Sequence, residues 1–178
     1  METQVLQRQL CAQLGACLEY PAGDSRDMAR AAADRIGSVC GQSLVYLKDF
    51  FARMDTMDLG TRQEHYVQTF DLMPRCSLYL SVHLFGEESF KRAELMAGLK
   101  DAYGKHGALE MTELPDHLAV ILKQNVLLNE EEWSELVSMC ILPALPKMIG
   151  ALEKCDNPYA FVLKAVQALL TEMEKVHV

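Results

Sequence analysis

The sequence predicts an all-α protein, a single-domain helical bundle of about eight to ten helices. Three observations predict it. Apolar residues recur at spacings of three and four through almost every segment. The breaks between segments carry Gly, Pro and capping residues and leave only short connections. No two strand-like runs stand ready to pair. The domain is read as the whole of residues 1–178.

The first helix is expected from about Gln4 to Glu19, with Leu6, Leu10, Leu14, Cys17 and Leu18 as its apolar stripe. Tyr20-Pro21 ends it, because the residue before proline is pushed out of the α region. Asp24 or Ser25 is placed to cap a second helix bearing Met28, Ala32 and Ile36. Gly41 breaks it, and Ser43 restarts a third with Leu44, Leu47, Phe51 and Met54. Thr61 with Glu64 has the capping-box spacing for a fourth, which carries Tyr66, Val67 and Phe70.

Tyr66–Gly86 is the stretch on which the rest converges. Leu78, Tyr79, Leu80, Val82, Leu84 and Phe85 leave only Ser81 and His83 as polar interruptions. A segment apolar on all sides belongs inside the molecule. Alternation here would also suit a strand, but a single strand leaves its backbone donors and acceptors unmet. The reading is a short buried helix begun near Pro74–Ser77 and stopped at Gly86, with Tyr79 and His83 in the core.

A further helix is expected from Glu87 to about His106, with Phe90, Met96, Leu99 and Tyr103 facing inward and Gly104 and Gly107 closing it. Pro115 suits a first helical position, so a helix should open in Glu113–His117 and continue through Leu118, Ile121 and Leu122. Asn129 and Glu132 repeat the capping-box spacing before Trp133, Leu136 and Val137. Pro143 and Pro146 should bend the chain beyond that helix. The last helix opens at Asn157-Pro158 and carries Tyr159, Val162, Leu163, Val166, Leu169, Leu170 and Met173.

Half of the residues are hydrophobic and the net charge is −8. That balance argues against a nucleic-acid binder, which needs a concentrated basic face, and fits a cationic partner. Six cysteines without a CxxC pair suggest reduced thiols rather than a disulfide framework. Met1-Glu-Thr-Gln lacks the basic opening of a signal peptide. The apolar reach Leu136–Leu152 is interrupted by two prolines and a lysine and falls short of the roughly 20 residues of a membrane span. A cytoplasmic protein without stable membrane insertion is expected.

No HExxH, Cys/His cluster, phosphate-binding glycine loop or nucleophile elbow is present. No metal ligands, cofactor or catalytic residues are therefore assigned. Glu113 and Asp116, three apart, admit three readings: helix-dipole and capping service, carboxylates offered to a basic partner, or an acid–base pair working with His117. The ten methionines suit core filling, with a minority free to line an adaptable groove.

YVQTFD at Tyr66–Asp71, SLYLSVHLFG at Ser77–Gly86, Lys91-Arg92 and ELPDHL at Glu113–Leu118, in this order, resemble the nitrate reductase molybdenum-cofactor assembly chaperones. These are the NarJ-type delta subunits, within the redox-enzyme maturation proteins. Leu18-Glu19-Tyr20-Pro21 resembles that family's opening as well. Ala93, Ala119 and Lys123 depart from its pattern, the last by putting a cation where an acidic residue is expected. The resemblance implies an all-helical chaperone without enzymatic activity. Its partner would be the apo catalytic subunit of a molybdenum-containing reductase, bound through a basic N-terminal peptide and kept competent for cofactor insertion. Related chaperones serve other molybdenum oxidoreductases. A peptide groove is expected between the Tyr66–Asp71 helix and the Glu113–His117 helix opening, with Tyr66 and Phe70 as apolar anchors and Asp71, Glu113, Asp116 and His117 as its polar side.

Overall fold

The computed structural model describes residues 2–22, 25–105, 107 and 112–176, and these form helices and no strand. In chain order they are α1 (Glu2–Ala16), α2 (Ser25–Val39), α3 (Gly41–Met54), α4 (Leu59–Phe70), α5 (Leu80–Phe85), α6 (Phe90–Gly104), α7 (Leu118–Gln124), α8 (Glu130–Leu136), α9 (Leu142–Glu153) and α10 (Tyr159–Val176). A 3₁₀ turn, Asn125–Leu127, follows α7. A π turn, Val137–Ile141, joins α8 to α9, so that Glu130–Glu153 is one continuous rod of 24 residues.

α10 is the central element. Its whole predicted stripe, from Tyr159 to Met173, is buried, and it packs against α1, α2, α3 and α9. Asn157 starts it as expected, its Oδ1 accepting from Tyr159 N–H at 3.0 Å. α1 lies between α2 and α7, with Leu10, Leu14 and Leu18 fully buried. Its contact with α7 depends on Gly15, where an added Cβ would sit 3.0 Å from Leu122 Cβ and 3.2 Å from the Ala119 carbonyl.

Several boundaries move, each for a local reason. α1 ends at Ala16 rather than near Glu19, because Cys17 and Leu18 donate to Leu14 and Gly15 in a tighter turn. The second break falls at Cys40, so Gly41 opens α3 instead of interrupting it. Asp58, not Thr61, caps α4: its carboxylate accepts from Thr61 N–H at 2.7 Å. α6 starts at Phe90, leaving Glu87 and Glu88 ahead of it, and Phe90 is 79% exposed rather than inward. Asp24 and His106 lie outside the described residues. The Asn129–Glu132 capping box forms in both directions, at 2.9 Å each way.

Pro143 and Pro146, expected to bend the chain, do not interrupt the helix, which runs through both with a π turn just ahead of the first. Pro143 has no N–H for the Met139 carbonyl and would crowd it. The wider π turn just before it accommodates that conflict. The resulting rod exceeds the Leu136–Leu152 reach and, by length and composition alone, could cross a bilayer. Its Ile141, Ala144, Leu145, Met148 and Leu152 are instead fully buried, and α9 packs on α5 and α10, as a core helix does.

One buried charge goes beyond the sequence-based expectation. Arg8, in mid-α1, donates to the carbonyls of Asn125, at 2.8 Å, and Leu128, and to Glu130 Oε2 at 3.0 Å. Asn125 Nδ2 answers by donating to Arg8 O at 2.9 Å. The guanidinium thus ties carbonyls of the α7–α8 connection to α1; the Asn125 carbonyl also accepts from Leu128 N–H at 3.2 Å.

Candidate functional site

The apolar central stretch is built differently from its expected form. α5 begins only at Leu80, because Tyr79 is extended and forms an isolated antiparallel bridge with His117. Leu80 N–H donates to Asp116 O at 3.0 Å, and Leu118 N–H donates to Leu78 O at 2.8 Å. Two short segments thus meet each other's backbone demand without a sheet. The segment is not buried all round either. Tyr79, Val82, His83 and Leu84 are half-buried and Phe85 is 38% exposed, while Leu78, Leu80 and Ser81 are enclosed. One His83 ring nitrogen lies 2.8 Å from Ser77 O. Gly86 ends the helix as predicted, with φ of 83°.

The same bridge moves the ELPDHL helix. α7 opens at Leu118, not within Glu113–His117, and Pro115 precedes it in a turn. Asp116 is therefore not a cap of its own helix. It is fully buried, and its Oδ2 accepts from Ser81 N–H at 3.3 Å and from the Ser81 hydroxyl. It serves the first turn of α5 from 35 residues away. Arg92 Nε completes the group by donating to Ser81 Oγ at 2.9 Å. Asp116 Oδ1 has no hydrogen-bond partner among the described residues.

Above this junction is an open pocket of about 530 Å³. Tyr20, Tyr66 and His117 form its aromatic lining, and Glu19, Asp71 and Glu113 bring carboxylates to it. Tyr20 meets Tyr66 edge-on at 5.7 Å between ring centroids. Tyr66 is held by its hydroxyl, which donates to Leu18 O at 3.1 Å. Tyr79 O–H donates to Glu113 Oε2 at 2.7 Å, while its ring meets His117 edge-on at 5.3 Å. Glu19 accepts from Lys123 Nζ at 2.6 Å, so the lysine at the divergent position partly neutralises one wall.

Of the six expected site residues, the structure brings Tyr66, Asp71, Glu113 and His117 to this pocket. Phe70 stands behind it, packed on Tyr66 at 5.0 Å and on Tyr159 at 4.9 Å. Asp116 lies beneath, turned to Ser81. Glu19, Tyr20 and Val120 also line the pocket and were not named from sequence as site residues. Leu18-Glu19-Tyr20-Pro21 carries part of the family resemblance, and that signal points to two of them.

Burial pulls the His117 imidazole below its ordinary pKa, against the opposing influence of Glu113, Asp116, Glu19 and Asp71. Its Nδ1 is buried without a hydrogen-bond partner among the described residues. Burial, followed by the charges of Asp71, Glu113 and Glu19, pushes the Tyr66 hydroxyl well above its usual range, so it remains a donor. No hydrogen bond links the side chains of Glu113, Asp116 and His117 to one another; Glu113 is turned to Tyr79 and Asp116 to Ser81. No group of three or more His, Cys, Asp or Glu among the described residues is placed to hold a metal ion.

The fold is one seen in redox-enzyme maturation: a candidate maturation protein from Archaeoglobus fulgidus superimposes with a TM-score of 0.65 over 93% of both chains, at 22% identity. The nitrate reductase delta subunit family model matches residues 34–164, and this chain belongs to that family. It is 33% identical over 117 residues to the nitrate reductase molybdenum cofactor assembly chaperone NarJ of Escherichia coli K12, covering 65% of this chain and 47% of that protein. Its likeness to the probable NarJ chaperone of Bacillus subtilis 168 is 33% over 108 residues, covering 60% of this chain and 58% of that one. The alignments thus span about half the length of these relatives.

Proposed function

We propose that this protein is an assembly chaperone for a membrane-associated nitrate reductase, binding the basic N-terminal peptide of the apo catalytic subunit and keeping it competent for molybdenum-cofactor insertion. The observation that carries this reading is the aromatic pocket with Glu19, Asp71 and Glu113 around it, built where YVQTFD and ELPDHL meet, in a chain of the nitrate reductase delta subunit family. An amphipathic peptide would set apolar side chains against Tyr20, Tyr66 and Val120, and its Lys or Arg against Asp71 and Glu113. Phe70 and Asp116 support the pocket from behind rather than touching the peptide.

The test is calorimetric titration of a synthetic peptide with the N-terminal sequence of the host's nitrate reductase catalytic subunit. Exposed ion pairs contribute about 0.2–1 kcal/mol each, and partly desolvated ones about 1.5–3 kcal/mol. Asp71→Lys with Glu113→Lys, which reverses two charges, should weaken binding by roughly tenfold or more. Added salt should weaken wild-type binding by screening. A folded double variant that binds as tightly as wild type would sink the proposal.

A further inference from the structure

A separate groove of about 550 Å³ runs between α6 and the α8–α9 rod, and it shares no lining residue with the pocket at the bridge. α6 is thinly packed: only Leu99 and Tyr103 of its 15 residues are buried. Its Leu95, Gly98, Leu99 and Ala102 stand at helical spacings of three, four and seven and form one wall. Leu128, Leu136 and Met139 face them, with Met139 left 72% exposed. A Cβ added at Gly98 would meet nothing within 4 Å, so the wall is hollow at its middle. Glu94, Glu132 and Glu135 stand beside this apolar floor. The one cation among the lining residues, Lys105, sits 4.0 Å from Glu132.

We propose that this groove docks a basic amphipathic helix, as a site additional to the peptide pocket and independent of the chaperone reading. Two helical walls with an apolar floor accept a third helix whose anchors recur every three or four residues. The hollow at Gly98 lets its backbone come close, and the exposed thioether of Met139 can adjust to its side chains. With Glu132 engaged by the capping box and Lys105, the rim carboxylates of Glu94 and Glu135 select Lys or Arg on its flanks. An extended peptide would instead need an open strand edge, and a proline-rich one an aromatic-lined groove; neither is present among the lining residues.

The probe is a fluorescein-labelled synthetic peptide with Leu and Lys arranged in heptads, followed by anisotropy beside a scrambled peptide of equal composition. Gly98→Leu fills the hollow and improves helix propensity, so it should keep the wild-type Tm or raise it. It should weaken binding by roughly tenfold or more, as should Glu94→Lys with Glu135→Lys on the exposed rim. The titrations are run in an Asp71→Lys, Glu113→Lys background, so that the other pocket, which offers similar chemistry, does not contribute to the signal. The proposal is overturned if wild type binds the scrambled peptide equally well or fails to bind the heptad peptide. It is equally overturned if, in the Asp71/Glu113 background, the heptad peptide does not bind, or if adding the rim pair or a folding-competent Gly98→Leu leaves its affinity unchanged.

Discussion

Asp116 and His117 are adjacent in sequence yet answer to different elements. Asp116 is the buried acceptor for the first turn of α5, so Asp116→Ala strands both the Ser81 N–H and its hydroxyl. Hydrogen bonds to charged groups contribute about 1.5–3 kcal/mol each, and a loss of about that size should appear in urea denaturation. A variant with unchanged stability would show that Asp116 is not the tie between the two segments. His117 makes stability pH-dependent. Its folded-state pKa lies below the ordinary imidazole value of 6.5 because burial disfavours the charged ring. The unfolded chain therefore takes up the proton first, and the contribution of neutral His117, complete above that value, is lost as pH falls below it. Urea midpoints from about pH 7.5 to about pH 5.5 should decline, and His117→Gln should flatten that decline. Equal slopes in the two proteins would assign the pH dependence to other groups.

At the scale of elements, glycines report how tightly helices meet. Gly15→Ala pushes a methyl against Leu122 and the Ala119 backbone, where α1 crosses α7. Overpacking of that kind costs about 1–3 kcal/mol, which exceeds the helix-propensity gain of about 1 kcal/mol that alanine brings. A net loss of about 1 kcal/mol is expected from chemical denaturation. A stabilised Gly15→Ala variant would mean that α1 and α7 meet more loosely than these distances imply. The tightness has a purpose in the site: α1 leads into Glu19 and Tyr20, and α7 follows directly from His117, so their crossing sets two walls of the pocket against each other.

For the whole molecule, burial around α10 predicts an order of thiol reactivity. All six cysteines carry thiols. Cys11 is fully buried, 3.8 Å from Met173 Sδ, and burial pushes its pKa up to about 12. Cys76 is pushed up to about 12 by burial as well. Cys140 and Cys155 are only partly enclosed, and Cys140 is itself raised by burial. A thiol-reactive probe near neutral pH should therefore modify Cys155 first and Cys11 only through global unfolding. Peptide mass mapping over a time course reads that order. Early labelling of Cys11 would show that α1 opens locally from the bundle.

Helical class, the α10 stripe and its Asn157 start, the Asn129–Glu132 box and the stop at Gly86 were determined by sequence alone. Periodicity and capping act over three or four residues, so the information needed lies next to where it is used. Two motifs and four of the six residues expected at the groove line one pocket. Its geometry was decided by tertiary structure, because the determining partners are far apart along the chain. Tyr79 pairs with His117, Asp116 serves Ser81, and Arg8 satisfies carbonyls at Asn125 and Leu128. The bridge delayed the starts of both α5 and α7, since backbone groups pair with whatever partner folding brings within reach. Local propensity carries no record of that partner, so Asp116, expected on the polar side of the peptide groove with cap and acid–base readings beside it, is instead a buried tie in the fold.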